Sequence, residues 1–213
     1  MGDLFPKIYP ILDSSFLPVE GRAEFLGRLG SNLALAGVTL LEYRNKTGTD
    51  AEILADGAIL RAAMPAPYVK LILDDRVDLI DLLGFDGVHV DGGDASPSQA
   101  RRILGPGRMI GTFGGSEALV PGVLDEPADY FSIGPVGRTQ TKQTAKAPIG
   151  VDGVRRLRAE AGSGPVLVAA GGVTRVNAAA VLEAGANVVA VAQGLFGCAD
   201  PAEEFQRWVK ELK

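Results

Sequence analysis

The feature that most constrains the fold of this chain is the regular alternation of short apolar runs with segments of helical periodicity. Eight runs have the length and composition of buried β-strands. They are predicted at residues 7–13, 38–44, 69–75, 87–90, 108–114, 130–136, 166–172 and 188–194. Most of them are continuously apolar, as are parallel strands that other elements cover on both faces.

Each run is followed by a segment whose apolar residues recur every three or four positions, which is typical of amphipathic helices. These segments span residues 21–37, 50–64, 77–83, 96–104, 116–123, 151–161, 174–184 and 200–212. Asp50 is predicted to cap the second helix, and Pro97 suits the first turn of the fourth. The helical pattern is weak at residues 116–123.

Eight consecutive strand–helix units predict an α/β fold, the (β/α)8 TIM barrel, and 213 residues lies at the compact end of its size range. An open, doubly wound sheet is the alternative, although such a sheet usually has fewer units at this length. Because no linker or low-complexity segment interrupts the pattern, residues 1–213 are expected to form a single domain.

Composition excludes several classes of partner. The chain has 21 basic and 26 acidic residues, a net charge of −5 and no basic run, so nucleic acid is not an expected partner. The single cysteine, Cys198, cannot form an internal disulfide, which is typical of a reducing compartment. Without a signal-peptide pattern or a membrane-length apolar run, a cytoplasmic protein with no membrane partner is expected. The sequence is also compatible with a homo-oligomer.

In a barrel of this type, chemistry takes place where the strands end and the following loops begin. Glu42, Arg44 and Lys46 end the second predicted strand, and alternate residues of a strand point to the same side. Two cations and a hydrogen-bond acceptor on one side suit a phosphate or a diphosphate. Solvated charges at a strand end are the alternative interpretation.

Carboxylates follow the third and fourth predicted strands. Asp74 and Asp75 end the third strand, and Asp91 and Asp94 follow the fourth. Carboxylates from neighbouring strands can share one Mg²⁺, which typically takes one or two carboxylates together with substrate phosphates and water. Alternatively, Asp91 and Asp94 cap a turn in this glycine-rich segment.

Two further regions favour anion binding. The loop after the sixth strand carries hydroxyls and cations that can close over an anion, at Arg138, Thr139, Thr141, Lys142 and Lys146. Glycines with accessible backbone N–H groups follow the last two strands, at Gly171, Gly172 and, beside Gln193, Gly194. An exposed polar loop and two tight turns are the alternatives. The lone histidine, His89, is more typical of a structural role.

These strand ends, in this order, resemble the thiamine phosphate synthase family, which shares a superfamily with the thiazole tautomerases. The resemblance covers residues 8–196. The family usually has Q-x-R-x-K after strand two, and this chain has E-Y-R-N-K at residues 42–46. Further similar segments are residues 72–79, 87–94, 134–142 and 171–173.

The resemblance implies a Mg²⁺-dependent alkyl transferase that joins hydroxymethylpyrimidine diphosphate to thiazole phosphate, two phosphorylated small molecules, and releases diphosphate and thiamine phosphate. In the family's dissociative mechanism, diphosphate leaves first and the thiazole nitrogen captures the resulting pyrimidine methyl cation. The resemblance implies catalytic roles for Arg44, Lys46 and Lys142, and Mg²⁺ ligation by Asp75 and Asp94. It implies substrate contacts for Glu42, Asp74, Phe113, Arg138, Thr139, Thr141, Gly171, Gly172, Gln193 and Gly194.

The chain departs from the family pattern at several of these positions. Glu42 replaces Gln, Asp74 replaces Asn, and Phe113 and Gln193 each replace Ser. At about 4 Å and an effective dielectric constant of about 20, an unpaired like-charge contact costs roughly 4 kcal/mol. Arg138 stands where the family has Pro, and our hypothesis is that its charge offsets one of the two added carboxylates.

Other functions are compatible with this pattern. A thiazole tautomerase would keep the phosphate site and lose the diphosphate site, but the family's tautomerases carry a histidine after strand five, where residues 112–116 read TFGGS. A catalytically silent barrel would bind a phosphate ligand or a partner protein. A Schiff-base aldolase is disfavoured because Lys70, the one lysine inside an apolar strand, is near the strand's start.

Overall fold

The computed structural model describes residues 5–93, 95–139 and 146–212. Its strands are β1 (Ile8–Asp13), β2 (Leu40–Arg44), β3 (Lys70–Asp74), β4 (Gly87–Val90), β5 (Met109–Gly115), β6 (Tyr130–Ile133), β7 (Leu167–Ala169) and β8 (Val188–Val191). They pair in sequence order, and β8 closes the sheet by pairing with β1 in parallel. The predicted TIM barrel is therefore confirmed.

Helices cover the outside of the barrel. They are α1 (Arg22–Leu35), α2 (Asp50–Ala63), α3 (Ile80–Leu83), α4 (Pro97–Leu104), α5 (Gly150–Ala161), α6 (Arg175–Glu183), α7 (Gln193–Phe196) and α8 (Pro201–Glu211). Short 3-10 turns occupy Ser14–Phe16, Val77–Leu79 and Val123–Asp125.

Two local predictions are wrong. Residues 116–123 form no helix, because Ser116 and Val120 donate their backbone N–H groups to Ala118 and Gly114 in a turn that folds back on β5. Pro121, which lacks an N–H, also disfavours a helix there. The cap of α2 is Thr49 rather than Asp50, and Asp50 is the first residue of the helix.

The last three strands end early. β6, β7 and β8 end at Ile133, Ala169 and Val191, three residues before the predicted ends at 136, 172 and 194. Several residues that follow still form backbone hydrogen bonds with their neighbours, such as Val136 to Ala170 and Gly137 to Gly171, and residues from all three segments line the mouth of the barrel. These segments therefore act as loops that shape the mouth.

Apolar side chains form two separate layers. The inner layer fills the barrel with Tyr9, Leu40, Ile72, Met109, Tyr130, Val168, Val188 and Ala190. The outer and larger layer packs the opposite faces of the strands against the helices, and it includes Trp208 of α8, which is 1% exposed. Trp208 therefore packs the last helix onto the barrel.

Strand β2 shows how alternation separates the two layers. Glu42 and Arg44 line the cavity inside the barrel, while Tyr43 between them belongs to the outer layer. The Tyr43 hydroxyl donates a hydrogen bond to Asp56 of α2, which also pairs with Arg22 of α1 at 2.6 Å. The buried outer network therefore fixes both helices on β2.

Among the helices in the described part of the chain, none combines the length and apolar character that a membrane span requires.

Because β4 and β5 approach closely at Gly87, adding one methyl group there should strongly destabilise the fold. A Cβ atom at Gly87 would lie 2.2 Å from the carbonyl oxygen of Met109, which is backbone and cannot rotate away. We expect Gly87→Ala to lower the free energy of unfolding by about 1–3 kcal/mol in urea denaturation. Gly107→Ala is the matched control, because no atom lies within 4 Å of its added Cβ. Equal stability of the two variants would contradict this packing.

Candidate active site

A cavity of about 480 Å³ opens at the carboxyl ends of the strands. Every strand, or the residue directly after it, contributes to its wall. Strand residues in the wall include Tyr9, Ile11, Glu42, Arg44, Asp74, His89, Phe113, Tyr130, Ser132, Val168 and Ala190. The cavity therefore lies where barrel enzymes carry out their chemistry.

A cluster of five charged side chains forms one side of the mouth. Arg44 pairs with Asp13, and its Nε lies 3.5 Å from Oδ2 of Asp74. The Nζ of Lys46 lies 2.9 Å from the same Asp74 oxygen and also contacts Asp75. Glu42 and Arg44 both line the cavity, and Lys46, which follows the end of β2, joins them through its ion pairs with Asp74 and Asp75.

Asp13 holds Arg44 in place as a carboxylate. Burial raises the pKa of Asp13, but hydrogen bonds from Ser15 and the Arg44 guanidinium outweigh burial and lower the pKa below its usual value. The guanidinium is therefore fixed at the cavity wall by a charged partner from β1.

Asp75 adopts an unusual backbone conformation directly after β3. Its φ is +69°, the left-handed region that few residues other than glycine occupy, although Asp tolerates it better than most. Its N–H donates to the carbonyl of His89 on β4 at 2.8 Å, which fixes the turn. The Oδ1 of Asp75 is buried and accepts no hydrogen bond from the described residues. A strained residue with a buried, unsatisfied oxygen suits ligation of a hard cation.

Glu42 lies deeper in the barrel than the cation cluster and is 3% exposed. The Tyr9 hydroxyl donates a hydrogen bond to its Oε2 at 2.9 Å. Burial, together with the nearby Asp74 carboxylate, raises the pKa of Glu42 to about 8. The two carboxylates that depart from the family pattern are therefore not bare charges at neutral pH, because Asp74 is paired with cations and Glu42 is mostly protonated.

Three aromatic side chains continue from Glu42 across the barrel. The hydroxyls of Tyr9 and Tyr130 are 3.1 Å apart, and Nδ1 of His89 is 3.2 Å from the Tyr130 hydroxyl. Burial raises the pKa of both tyrosines well above the usual value, so both stay protonated. The Tyr130 ring fits because β5 has glycine at Gly111, where a Cβ atom would lie 2.0 Å from the ring.

Tyr9 and Tyr130 also line the cavity, although neither is among the predicted site residues. The signal was present, because the same alternation that was applied to β2 places Tyr9, Ile11 and Asp13 of β1 on one side. Applied to β6, it places Tyr130 and Ser132 on one side. Both sets face the interior.

Glycines shape the wall across the mouth from β3. Gly171 and Gly172 have φ of +78° and +70°, and a Cβ atom at Gly172 would lie 2.4 Å from the carbonyl carbon of Gly137. Only glycine fits this close approach of the β6 and β7 loops. Gln193 and Gly194 complete this part of the wall after β8.

The ring of Phe113 on β5 makes a cation–π contact with Lys146. The Nζ of Lys146 lies 3.5 Å from the ring centroid, within the range of a cation–π contact. Both side chains line the cavity. The replacement of a family serine by Phe113 therefore supplies a surface that holds a lysine at the mouth.

The structure brings together most of the predicted site residues. The cavity wall includes Glu42, Arg44, Asp74, Phe113, Arg138, Thr139, Gly171, Gly172, Gln193 and Gly194. Lys46 and Asp75 join them through ion pairs. Asp94, Thr141 and Lys142 lie outside the described residues. Within the described ranges, no three His, Cys, Asp or Glu side chains converge as a ready metal cluster.

The chain matches a known family over most of its length. A family model described as thiamine monophosphate synthase matches residues 8–195. A thiamine-phosphate synthase from Koribacter versatilis is 38% identical over 211 residues, which cover 99% of this chain and 98% of that protein. A thiamine-phosphate synthase from Agrobacterium fabrum is 36% identical over 199 residues, covering 92% of this chain and 89% of that protein.

A solved structure agrees with these matches. The thiamine phosphate pyrophosphorylase from Pyrococcus furiosus superimposes with a TM-score of 0.76 at 26% identity, and the match covers 97% of this chain and 95% of that one.

The charged cluster predicts a specific loss of anion binding. We expect Lys46→Met to weaken the binding of inorganic diphosphate, measured by calorimetry, by about 10- to 100-fold. A charge-assisted hydrogen bond contributes about 1.5–3 kcal/mol, and this substitution also leaves Asp74 and Asp75 with less positive charge nearby. Lys70→Met, at the opposite end of β3, is the control and should leave the affinity unchanged. An equal loss in both variants would argue against a diphosphate site at Lys46.

Proposed function

The chain belongs to the thiamine monophosphate synthase family and is a transferase of thiamine biosynthesis, and from this premise we propose how its cavity performs the reaction. The reaction joins hydroxymethylpyrimidine diphosphate to thiazole phosphate and releases thiamine phosphate and diphosphate. One observation carries the proposal: a single cavity has Arg44, with Lys46 beside it in the same ion-pair cluster, on the wall at β2, and a glycine-rich wall across its mouth. Two anionic groups can thus be held apart with their reacting atoms between them.

Arg44 and Lys46 bind the leaving diphosphate. As the carbon–oxygen bond breaks, its electron pair and the growing negative charge move onto the diphosphate, which faces these two cations. Fixed charges stabilise such a transition state without reorganising when the bond breaks. In the proposal Lys142 adds a third cation, as the family resemblance implies.

Asp75 and Asp94 hold Mg²⁺ in this proposal. The buried, unsatisfied Oδ1 of Asp75 and its fixed left-handed backbone fit a ligand of a hard cation. When bound, Mg²⁺ supplies positive charge to a diphosphate. Asp74 lies beside this position and pairs with Lys46, so it orients the cation wall.

Gly171, Gly172, Gln193 and Gly194 hold the thiazole phosphate, and Thr139 and Thr141 contact phosphate oxygens from the β6 loop. Backbone N–H groups suit this role because they approach closely where no side chain intervenes. The thiazole nitrogen then donates its lone pair to the pyrimidine methyl cation and forms the new carbon–nitrogen bond.

The barrel interior protects that cation from water. Ile11, Val168 and Ala190 are apolar parts of the cavity wall, and the rings of Tyr9 and Tyr130 lie beside them. Aromatic faces attract cations. Capture by water would give the free pyrimidine alcohol, so an apolar wall favours capture by the thiazole nitrogen.

The charged wall favours a synthase over a thiazole tautomerase, which has no diphosphate to bind. We further infer that residues 1–213 act as a single domain in the cytoplasm, with the phosphorylated small molecules as substrates. Association into a homo-oligomer is compatible with this function, since the cavity wall is built from one chain.

The reaction itself provides the first test. With both substrates and Mg²⁺, we expect thiamine phosphate and diphosphate in equal amounts, and we expect EDTA to abolish both products. Asp75→Asn should lower the rate at least tenfold, whereas Asp81→Asn, an exposed carboxylate paired with Arg108, should not. Binding of thiazole phosphate without any product would instead indicate a tautomerase or a silent phosphate-binding barrel.

The Arg138 hypothesis has its own test. Arg138 lines the same cavity as Asp74, so its charge can offset that carboxylate, one of the two that depart from the family pattern. We expect Arg138→Pro and Arg138→Gln each to weaken diphosphate binding about tenfold, since one cation is lost near the anion. Unchanged affinity in both variants, measured by calorimetry, would end the hypothesis.

A further inference from the structure

Glu42 is a buried carboxyl group without a cation of its own. The two cations on its strand are engaged elsewhere, Arg44 with Asp13 and Asp74, and Lys46 with Asp74 and Asp75. Across residues 5–93, 95–139 and 146–212, no ion pair within 4.0 Å reaches Glu42. A buried charge without a partner is strongly unfavourable, and a carboxyl in that position takes up a proton instead.

A chain of hydroxyls holds one oxygen of Glu42. The Tyr9 hydroxyl donates to Oε2 at 2.9 Å, lies 3.1 Å from the Tyr130 hydroxyl, and the Tyr130 hydroxyl lies 3.2 Å from Nδ1 of His89. Within the described residues, Oε1 takes part in no hydrogen bond, and Glu42 lines the cavity. The oxygen that is left over is therefore the one that can carry a proton for a ligand.

We propose that Glu42 works in the cavity as a neutral carboxylic acid that donates its Oε1 proton to a ring nitrogen of the aminopyrimidine, and thereby selects the protonated enzyme for substrate binding. This inference rests on the proposed function. A neutral carboxyl has one donor and one acceptor, as the side-chain amide of glutamine does. The replacement of glutamine by Glu42 then preserves the hydrogen-bonding pattern at that position.

The position of Glu42 matches the shape of this substrate. Glu42 lies two positions before Arg44 on β2, which places it about 7 Å deeper along the strand, toward the barrel interior. In the pyrimidine diphosphate, one methylene joins the ring to the diphosphate. With the diphosphate at Arg44 and Lys46, the ring lies deeper, at the level of Glu42. The thiazole phosphate is held across the mouth and does not compete for this position.

The surroundings of Glu42 set the pH at which it ionises. Tyr9 of β1, Asp74 of β3, His89 of β4 and Tyr130 of β6 face it, with Arg44 and Lys46 on its own strand. Burial, and after it the Asp74 carboxylate, raise the pKa of Glu42 to about 8, while the Tyr9 hydrogen bond and the two cations oppose this shift. The acid therefore predominates at pH 7, and the carboxylate predominates above pH 8.

Ionisation of Glu42 should weaken substrate binding. Ionised Glu42 presents a negative oxygen to the lone pair of a ring nitrogen, so the affinity for the pyrimidine diphosphate falls as pH rises. We expect its dissociation constant and kcat/KM to worsen about tenfold per pH unit above the pKa of Glu42. Glu42→Gln should lose this fall in affinity and kcat/KM at alkaline pH, the alkaline limb of the pH profile, because an amide cannot ionise there. Glu24→Gln, an exposed carboxyl on α1, is the control and should keep it.

A second variant should shift the alkaline limb of the pH profile rather than remove it. Tyr9→Phe removes the hydrogen bond that favours ionised Glu42 but keeps the ring, so the alkaline limb should move to higher pH. Infrared difference spectra of the free protein give a readout that does not depend on turnover. The band of a protonated carboxyl should be present at pH 7, disappear above pH 8 and be missing in Glu42→Gln.

The outcomes separate this inference from the proposed function. An alkaline limb of equal size in Glu42→Gln, or no Glu42 carboxyl band at pH 7, would overturn the inference. If the unmodified protein forms no thiamine phosphate at any pH, the proposed function fails. In that case the infrared band still decides the protonation of Glu42, and calorimetry with the pyrimidine diphosphate decides its contact with the ring.

Discussion

Closure of eight parallel strands is the constraint on which the rest of the structure depends. It turns every second residue inward and brings the carboxyl end of every strand to one mouth. Side chains that are distant in sequence, such as Tyr9 and Tyr130, meet because their strands face each other across the interior. The same closure places the cations of β2 beside the carboxylates of β1 and β3.

In the proposed function, charge balance at this mouth accounts for two departures from the family pattern, Glu42 and Asp74. Asp13, Asp74 and Asp75 surround Arg44 and Lys46, so both of these cations are already paired with carboxylates other than Glu42. A fourth carboxylate would add unpaired negative charge in a buried position, which favours the protonated form of Glu42. An added acid is thus compatible with anion binding when its proton neutralises it.

Sequence alone predicted the elements that have strong local patterns. The eight strands, the cavity position of Glu42 and Arg44, and the cavity position of Gly171 and Gly172 followed from alternation and from glycine at strand ends. The predicted helix at residues 116–123 was wrong because hydrogen bonds back to β5 override a weak helical pattern.

The partners of each side chain could not be predicted, because pairing across strands depends on register. The ion pair of Arg44 with Asp13 and the Tyr9 bond to Glu42 both join different strands. The most direct test of two opposed anion sites is a crystal structure with diphosphate, Mg²⁺ and thiazole phosphate bound together. The account predicts diphosphate against Arg44 and Lys46, and the thiazole phosphate against Gly172 and Gly194. Both anions on one wall of the mouth would contradict it.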